Sequence, residues 1–135
     1  MRAVLILSAV LLFLASSFGF GQDAGVAPIP SVSGLTAEAA GGQVKLRWKD
    51  PPGATGTCIV YRHEEEITAR TLPGAALVGR VPAGTEYWLD TPPEGDGWFY
   101  AVLVEDSART LYALLLPYRN ATSAAGCSSL LWRLL

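Results

Sequence analysis

The chain is poor in the residues that carry chemistry. Its 135 positions hold one histidine, one methionine and two cysteines. A nucleophile wants a base beside it and a transition metal wants several ligands, so a single imidazole leaves little to assemble. Two cysteines are too few for a disulfide scaffold. Charge is sparse too, at 16% of residues, with 10 basic against 12 acidic and a formal net charge of -2. That balance lacks the basic stripe of a nucleic-acid binder. No segment keeps a helical period, and no apolar run reaches the ~20 residues a membrane-spanning helix needs. What the chain has is apolar material: half of its residues are hydrophobic, enough for a core and too much for a disordered chain.

The two ends read differently from the middle. Met1-Arg2 is a short positive start, Ala3 to Ala15 is apolar apart from Ser8, and Ser16, Ser17, Gly19 and Gly21 are small. This is the charged, apolar and small-residue order of a secretory signal peptide, expected over residues 1–21 with cleavage after Gly21, or alternatively after Ser17. An uncleaved anchor is the rival reading, set aside because the apolar run is too short to span. Residues 22–29 read as a linker, 30–120 as one domain and 121–135 as a tail that ends in Leu130-Leu131-Trp132-Arg133-Leu134-Leu135. The expected address is outside the cytoplasm: periplasmic, cell-surface or secreted.

Within 30–120 the pattern is short strands between turns. Val44, Leu46 and Trp48 alternate with Lys45, Arg47 and Lys49, the period of a half-buried strand. Asp50-Pro51-Pro52-Gly53 closes it, since proline cannot continue a ladder. Further strands are expected around Val32 to Ala37, Thr57 to Arg62, Ala76 to Val81, Thr85 to Asp90, Trp98 to Asp106 and Arg109 to Leu116, the last stopped by Pro117. The stretch Trp98 to Asp106 is apolar on both faces, so it belongs in the middle of a sheet. Short strands and no helices imply an all-β sandwich or barrel of one domain.

The order of landmarks carries a resemblance. Trp48 precedes Asp50-Pro51-Pro52, then come Cys58-Ile59-Val60-Tyr61-Arg62, Tyr87, Leu89, Asp90-Thr91, a glycine bend, and Trp98-Phe99-Tyr100-Ala101-Val102. Over residues 30 to 120 this resembles a fibronectin type III domain, of the bacterial kind. The resemblance implies a seven-stranded antiparallel immunoglobulin-like sandwich. Strands one, two and five would form one sheet, and three, four, six and seven the other. It implies a core of Val44, Leu46, Trp48, Cys58, Val60, Tyr87, Leu89, Trp98, Tyr100, Val102 and Val104. Two positions depart from the family: Cys58 replaces an aromatic, and Trp98 stands where a tyrosine anchors the corner before the sixth strand. An indole N–H donates but cannot accept, so that corner must be held in another way.

No residue set spells a reaction. His63 beside Glu64-Glu65-Glu66 reads as a strand end entering a solvated charged loop, because neighbouring strand residues point apart. Glu105-Asp106 diverges for the same reason, and no nucleophile elbow, phosphate loop or zinc-protease signature is present. The expectation is no enzyme, no catalytic or metal-binding residue and no cofactor. Cys58, on an inward strand face, and Cys127, in the tail, read as unpaired thiols rather than a bridge. Asn120-Ala121-Thr122 fits the N-glycosylation pattern, which is common by chance and carries no weight if the source is bacterial, as the resemblance implies.

The outer face of the second sheet draws the functional expectation. Alternation places Ile59 and Tyr61, then Phe99, Ala101 and Leu103, on it, and the seventh strand adds Tyr112. An apolar outer face calls for a cover. The cover is either a partner, being another protein or a second copy of the chain, or the apolar tail. The expected function is a non-catalytic module binding protein through Ile59, Tyr61, Phe99, Leu103 and Tyr112. The alternatives are a spacer or accessory module of a larger secreted or envelope assembly, including a truncated gene product, and, more distantly, a carbohydrate contact through Trp88 or Tyr112. If the fold closes on Trp48, its replacement by Ala costs roughly 3–5 kcal/mol. A chemical-denaturation midpoint unmoved by Trp48→Ala would remove that residue from the core.

Overall fold

Alternation makes the second strand and a tight turn starts the first sheet. In the computed structural model, which describes residues 27–95 and 97–122, β1 (Ser33–Ala40) and β2 (Gln43–Lys49) pair antiparallel, with Ala40 opposite Gln43. The two residues between them, Gly41 and Gly42, both have positive φ, at 60° and 79°. A two-residue hairpin with that backbone matches the right-handed twist of its strands, and glycine adopts it without steric cost. Val44, Leu46 and Trp48 are buried, as their spacing requires.

Among the described residues seven strands form two antiparallel sheets. The first has the order β1-β2-β5, with β5 spanning Tyr87–Asp90. The second has the order β4-β3-β6-β7, with β3 Thr57–His63, β4 Ala76–Pro82, β6 Phe99–Glu105 and β7 Leu111–Tyr112. This is the division of strands that the resemblance implies. Between the sheets lies one apolar cluster including Val44, Leu46, Trp48, Val60, Tyr100 and Val102. β6 is buried on both faces: Tyr100, Val102 and Val104 face the other sheet, and Ala101 and Leu103 are covered on the far side.

Three expectations are corrected. Tyr87 and Leu89 are not in the core; they are 51% and 50% exposed, and Trp88 and Asp90 point inward instead. Polarity alternation assigns Asp90 to solvent. In the fold it bonds to Arg62 and Tyr100 in the interior, and one such tie reverses the whole four-residue strand. Trp88 lies on Gly79, where any side chain would collide: a Cβ there would sit 2.6 Å from the indole.

The last strand is the second correction. It was expected to run to Leu116, but only Leu111–Tyr112 pair with β6. The chain then leaves the sheet and returns: Val102 N–H donates to the Asn120 carbonyl and Thr122 N–H to the Tyr100 carbonyl, both at 2.9 Å. Asn120 builds the turn that brings it back. Its Oδ1 accepts from Leu116 N–H and its Nδ2 donates to the Leu114 carbonyl, at 2.7 and 2.6 Å. A short amide side chain replaces backbone partners in this way. The folded unit therefore reaches Thr122, past the boundary expected at 120, and Asn120 of the glycosylation pattern is 1% exposed with both ends of its amide bonded.

Third, the outer face of the four-stranded sheet is not open. Ile67, Ala101 and Ala121 form a second buried cluster with Tyr61, Leu72, Ala75, Phe99 and Leu115 packed on it. The segment after β3 and the segment after β7 thus lie over that end of the sheet. Ile59 and Leu103, paired across β3 and β6, are 1% and 0% exposed. Among the described residues no helix is long and apolar enough to cross a membrane. The expected signal peptide and the tail beyond Thr122, with Cys127, lie outside the described residues.

The two outer faces respond oppositely to charge. Leu103→Lys buries an unpaired ammonium and should lower stability by several kcal/mol, whereas Leu89→Lys should stay within about 0.5 kcal/mol of the parent. Denaturant titration of both variants tests this. Equal losses would contradict the register of β5.

Candidate functional site

Polar side chains gather at two places between the sheets. At one, Asp90 ends β5 and is 7% exposed. Arg62 on β3 donates through one terminal nitrogen to both carboxylate oxygens, at 3.0 and 2.8 Å, and the Tyr100 hydroxyl on β6 donates to Oδ2 at 2.8 Å. The indole of Trp98 stacks over the guanidinium, 5.0 Å from ring centre to Cζ. Trp98 Nε1–H donates to the Pro93 carbonyl at 3.2 Å, so a donor on an indole ties the corner back to upstream backbone. Among the described residues Arg62 Nε and Trp88 Nε1 are buried without partners. Deleting one member of a buried ion pair strands the other, a loss of about 3–5 kcal/mol.

At the other place, Asp50 follows β2. Its Oδ1 accepts from Trp48 Nε1–H at 2.9 Å and from the Cys58 thiol at 3.5 Å, and its Oδ2 accepts from Gly84 N–H at 2.6 Å. Its own N–H donates to Glu86 Oε1 at 3.0 Å, and Lys49 lies 3.6 Å from the same oxygen. Glu86 holds a positive φ of 59° where it leads into β5. One carboxylate thereby joins β2, β3 and the β4–β5 connection. Cys58 is a free, buried thiol. Burial, then the negative charge of Asp50, pushes its pKa from 9.0 up to about 12. A thiol so held stays protonated and is a poor nucleophile at neutral pH.

The residues expected to bind a partner do not form one open surface. Ile59 and Leu103 are buried, while Tyr61 and Phe99 are half-buried against the second cluster. Tyr112 sits opposite Val104, so it shares the inward parity of that residue, and Leu111 takes the outer position opposite Glu105. The Tyr112 hydroxyl donates to Asp106 Oδ2 at 3.1 Å. Thr110 N–H, donating to the same carboxylate, is the main cause that holds the Asp106 carboxyl below its usual range. His63 Nδ1 accepts from Glu65 N–H at 2.8 Å, and no group of three or more metal-ligating side chains gathers among the described residues. A cleft of about 460 Å³ runs between Pro28–Ser31 and the loop at 51–56. The Asp50 carboxylate at its wall already accepts three hydrogen bonds.

Asp50 and Asp90 escaped the sequence reading. Asp50 carries a faint signal, since it follows the core tryptophan and opens a turn. Asp90 carries none, because an acid at a strand end ordinarily faces water.

The Cys58 thiol gives a pH dependence with a definite sign. In the unfolded chain it ionises near pH 9, and in the fold only near pH 12. The unfolded state therefore holds fewer protons across that window, and stability falls as pH rises through it. Cys58→Ala should flatten that fall relative to the parent when denaturation is measured from pH 8 upward. Parallel curves would show that the thiol does not contribute.

No protein-family profile matches the chain, and no curated protein is similar to it in sequence. Among solved structures, it is similar to pectate lyase Pel3 from Pectobacterium carotovorum, with a TM-score of 0.51 and 17% identity over 70% of this chain. Pectate lyase PelI from Erwinia chrysanthemi gives a TM-score of 0.47 and 15% identity over 60% of this chain. The chain spans 28% of the first and 24% of the second. At 17% identity the likeness to the first concerns the fold alone.

Proposed function

We propose that this chain is an exported, non-catalytic fibronectin type III-like module, with an immunoglobulin-like sandwich behind a cleaved signal peptide. Its role is that of a spacer or accessory module in a larger secreted or envelope assembly. The observation that carries this reading is the cover over the four-stranded sheet. Ile59 and Leu103 are buried and the end around Ala101 is packed under the chain's own segments, so the surface that favoured a partner is already occupied. The sheet orders β1-β2-β5 and β4-β3-β6-β7 support the family resemblance. The non-catalytic reading is supported by the two polar clusters, whose carboxylates bind strands to one another, and by a thiol kept protonated by burial.

Expression of the full chain with its own N-terminus in a bacterial host tests the address. The extracytoplasmic fraction should hold a product that begins at Gln22, seen by N-terminal sequencing, and that is monomeric by light scattering. An intact Met1 product confined to the cytoplasm would overturn export, and a dimer lost on replacing Phe99 would restore the binding face.

A further inference from the structure

The reversed register of β5 creates a surface that the spacer reading does not use. Trp48 N–H donates to the Glu86 carbonyl at 3.1 Å, which makes Trp48 and Glu86 a hydrogen-bonded pair of the β2–β5 ladder. Pairs alternate along an antiparallel ladder. Leu46 with Trp88 is therefore the next hydrogen-bonded pair, and Arg47 with Tyr87 and Lys45 with Leu89 are the non-bonded ones. At Tyr87 and Leu89 the backbone N–H and C=O groups consequently point away from β2. β5 is the edge of its sheet, so these groups face the open side. The same two residues carry the half-exposed side chains on the outer face.

That face is electropositive beside the edge. Lys45 and Arg47 stand across the strand from Leu89 and Tyr87 and make no ion pair among the described residues. Lys49 is matched by Glu86, and Glu38 lies opposite Lys45 without closing an ion pair. Two cations against one acid remain on the face of a chain whose formal net charge is -2. An antiparallel copy of the same edge would bring like charges together, so the complement is acidic.

We infer that β5 and the Lys45/Arg47 face form a docking edge for an acidic, extended polypeptide segment, which adds as a further strand beside β5. Main-chain bonds to Tyr87 and Leu89 supply affinity, and alternate side chains of the guest lie against Tyr87 and Leu89 with their carboxylates towards Lys45 and Arg47. The inference goes beyond the accessory-module reading and is tested separately from export.

The probe is a short synthetic peptide alternating glutamate with valine, titrated against the purified protein and followed by amide resonances. The expected result is saturable binding with the Tyr87 and Leu89 amides shifted and protected from exchange. Lys45→Glu with Arg47→Glu, both on the surface, should weaken it by about tenfold or more. Leu89→Pro should abolish it with charge unchanged, because the N–H it removes points away from β2. A peptide alternating lysine with valine should not bind. The inference is overturned by equal binding of the lysine peptide or by indifference to the double charge reversal. Alginate binding that persists in Leu89→Pro would assign the face to an acidic polysaccharide instead. A dimer with the β5 amides already protected would assign it to a second copy.

Discussion

Arg62, Asp90 and Tyr100 form the link on which the arrangement of the two sheets depends. Asp90 belongs to the three-stranded sheet, and its two donors belong to the four-stranded one. A carboxylate taken out of water is tolerated only where charge and hydrogen bonds replace its hydration. Here a guanidinium and a phenol do so, and the guanidinium is itself capped by the Trp98 indole. Because side chains alternate along a strand, holding Asp90 inward decides everything else on β5. Trp88 is brought onto Gly79, and Tyr87 and Leu89 are turned to solvent.

Asp50 does comparable work at the other polar cluster by a different route. Instead of meeting a buried cation, it collects an indole N–H, a thiol and a backbone N–H. Trp48 is thus fixed twice, by packing in the core and by its one polar atom, which is how a buried indole is best accommodated. The thiol of Cys58 fills a place in the core beside that carboxylate. The same surroundings that make it a good small hydrophobe make it a poor acid.

Edges are treated unequally in this sandwich. The β6 edge that β7 leaves bare is completed by Asn120 and Thr122 after an excursion, so the ladder closes without a long final strand. The outer side of β6 at Phe99 and Ala101 is covered by the chain around Ile67 and Ala121. Among the described residues β5 shows neither device. It is short, which limits it as a template for aggregation, yet it carries exposed apolar side chains at the edge of its sheet. The unguarded edge and the cationic face beside it come from the same strand register.

Local pattern sufficed wherever one residue type could be sorted by one periodicity. Strand β2 was legible because Val44, Leu46 and Trp48 alternate with three cations. The double burial of β6 was legible because both of its faces are apolar. The division of strands between the sheets agrees with what the resemblance implied. Tertiary structure alone decided the face of β5, the early end and late return of the last strand, and the cover over the sheet around Ala101. The first two share a reason: each turns on a polar group whose partner lies far along the chain, Asp90 with Arg62, and Asn120 and Thr122 with the strand they complete. The cover is apolar, and Ile67 and Leu115 meet the sheet only because the chain folds back over it. Hydropathy ranks a residue by its affinity for water, and a distant partner that replaces water leaves no trace in the residues beside it.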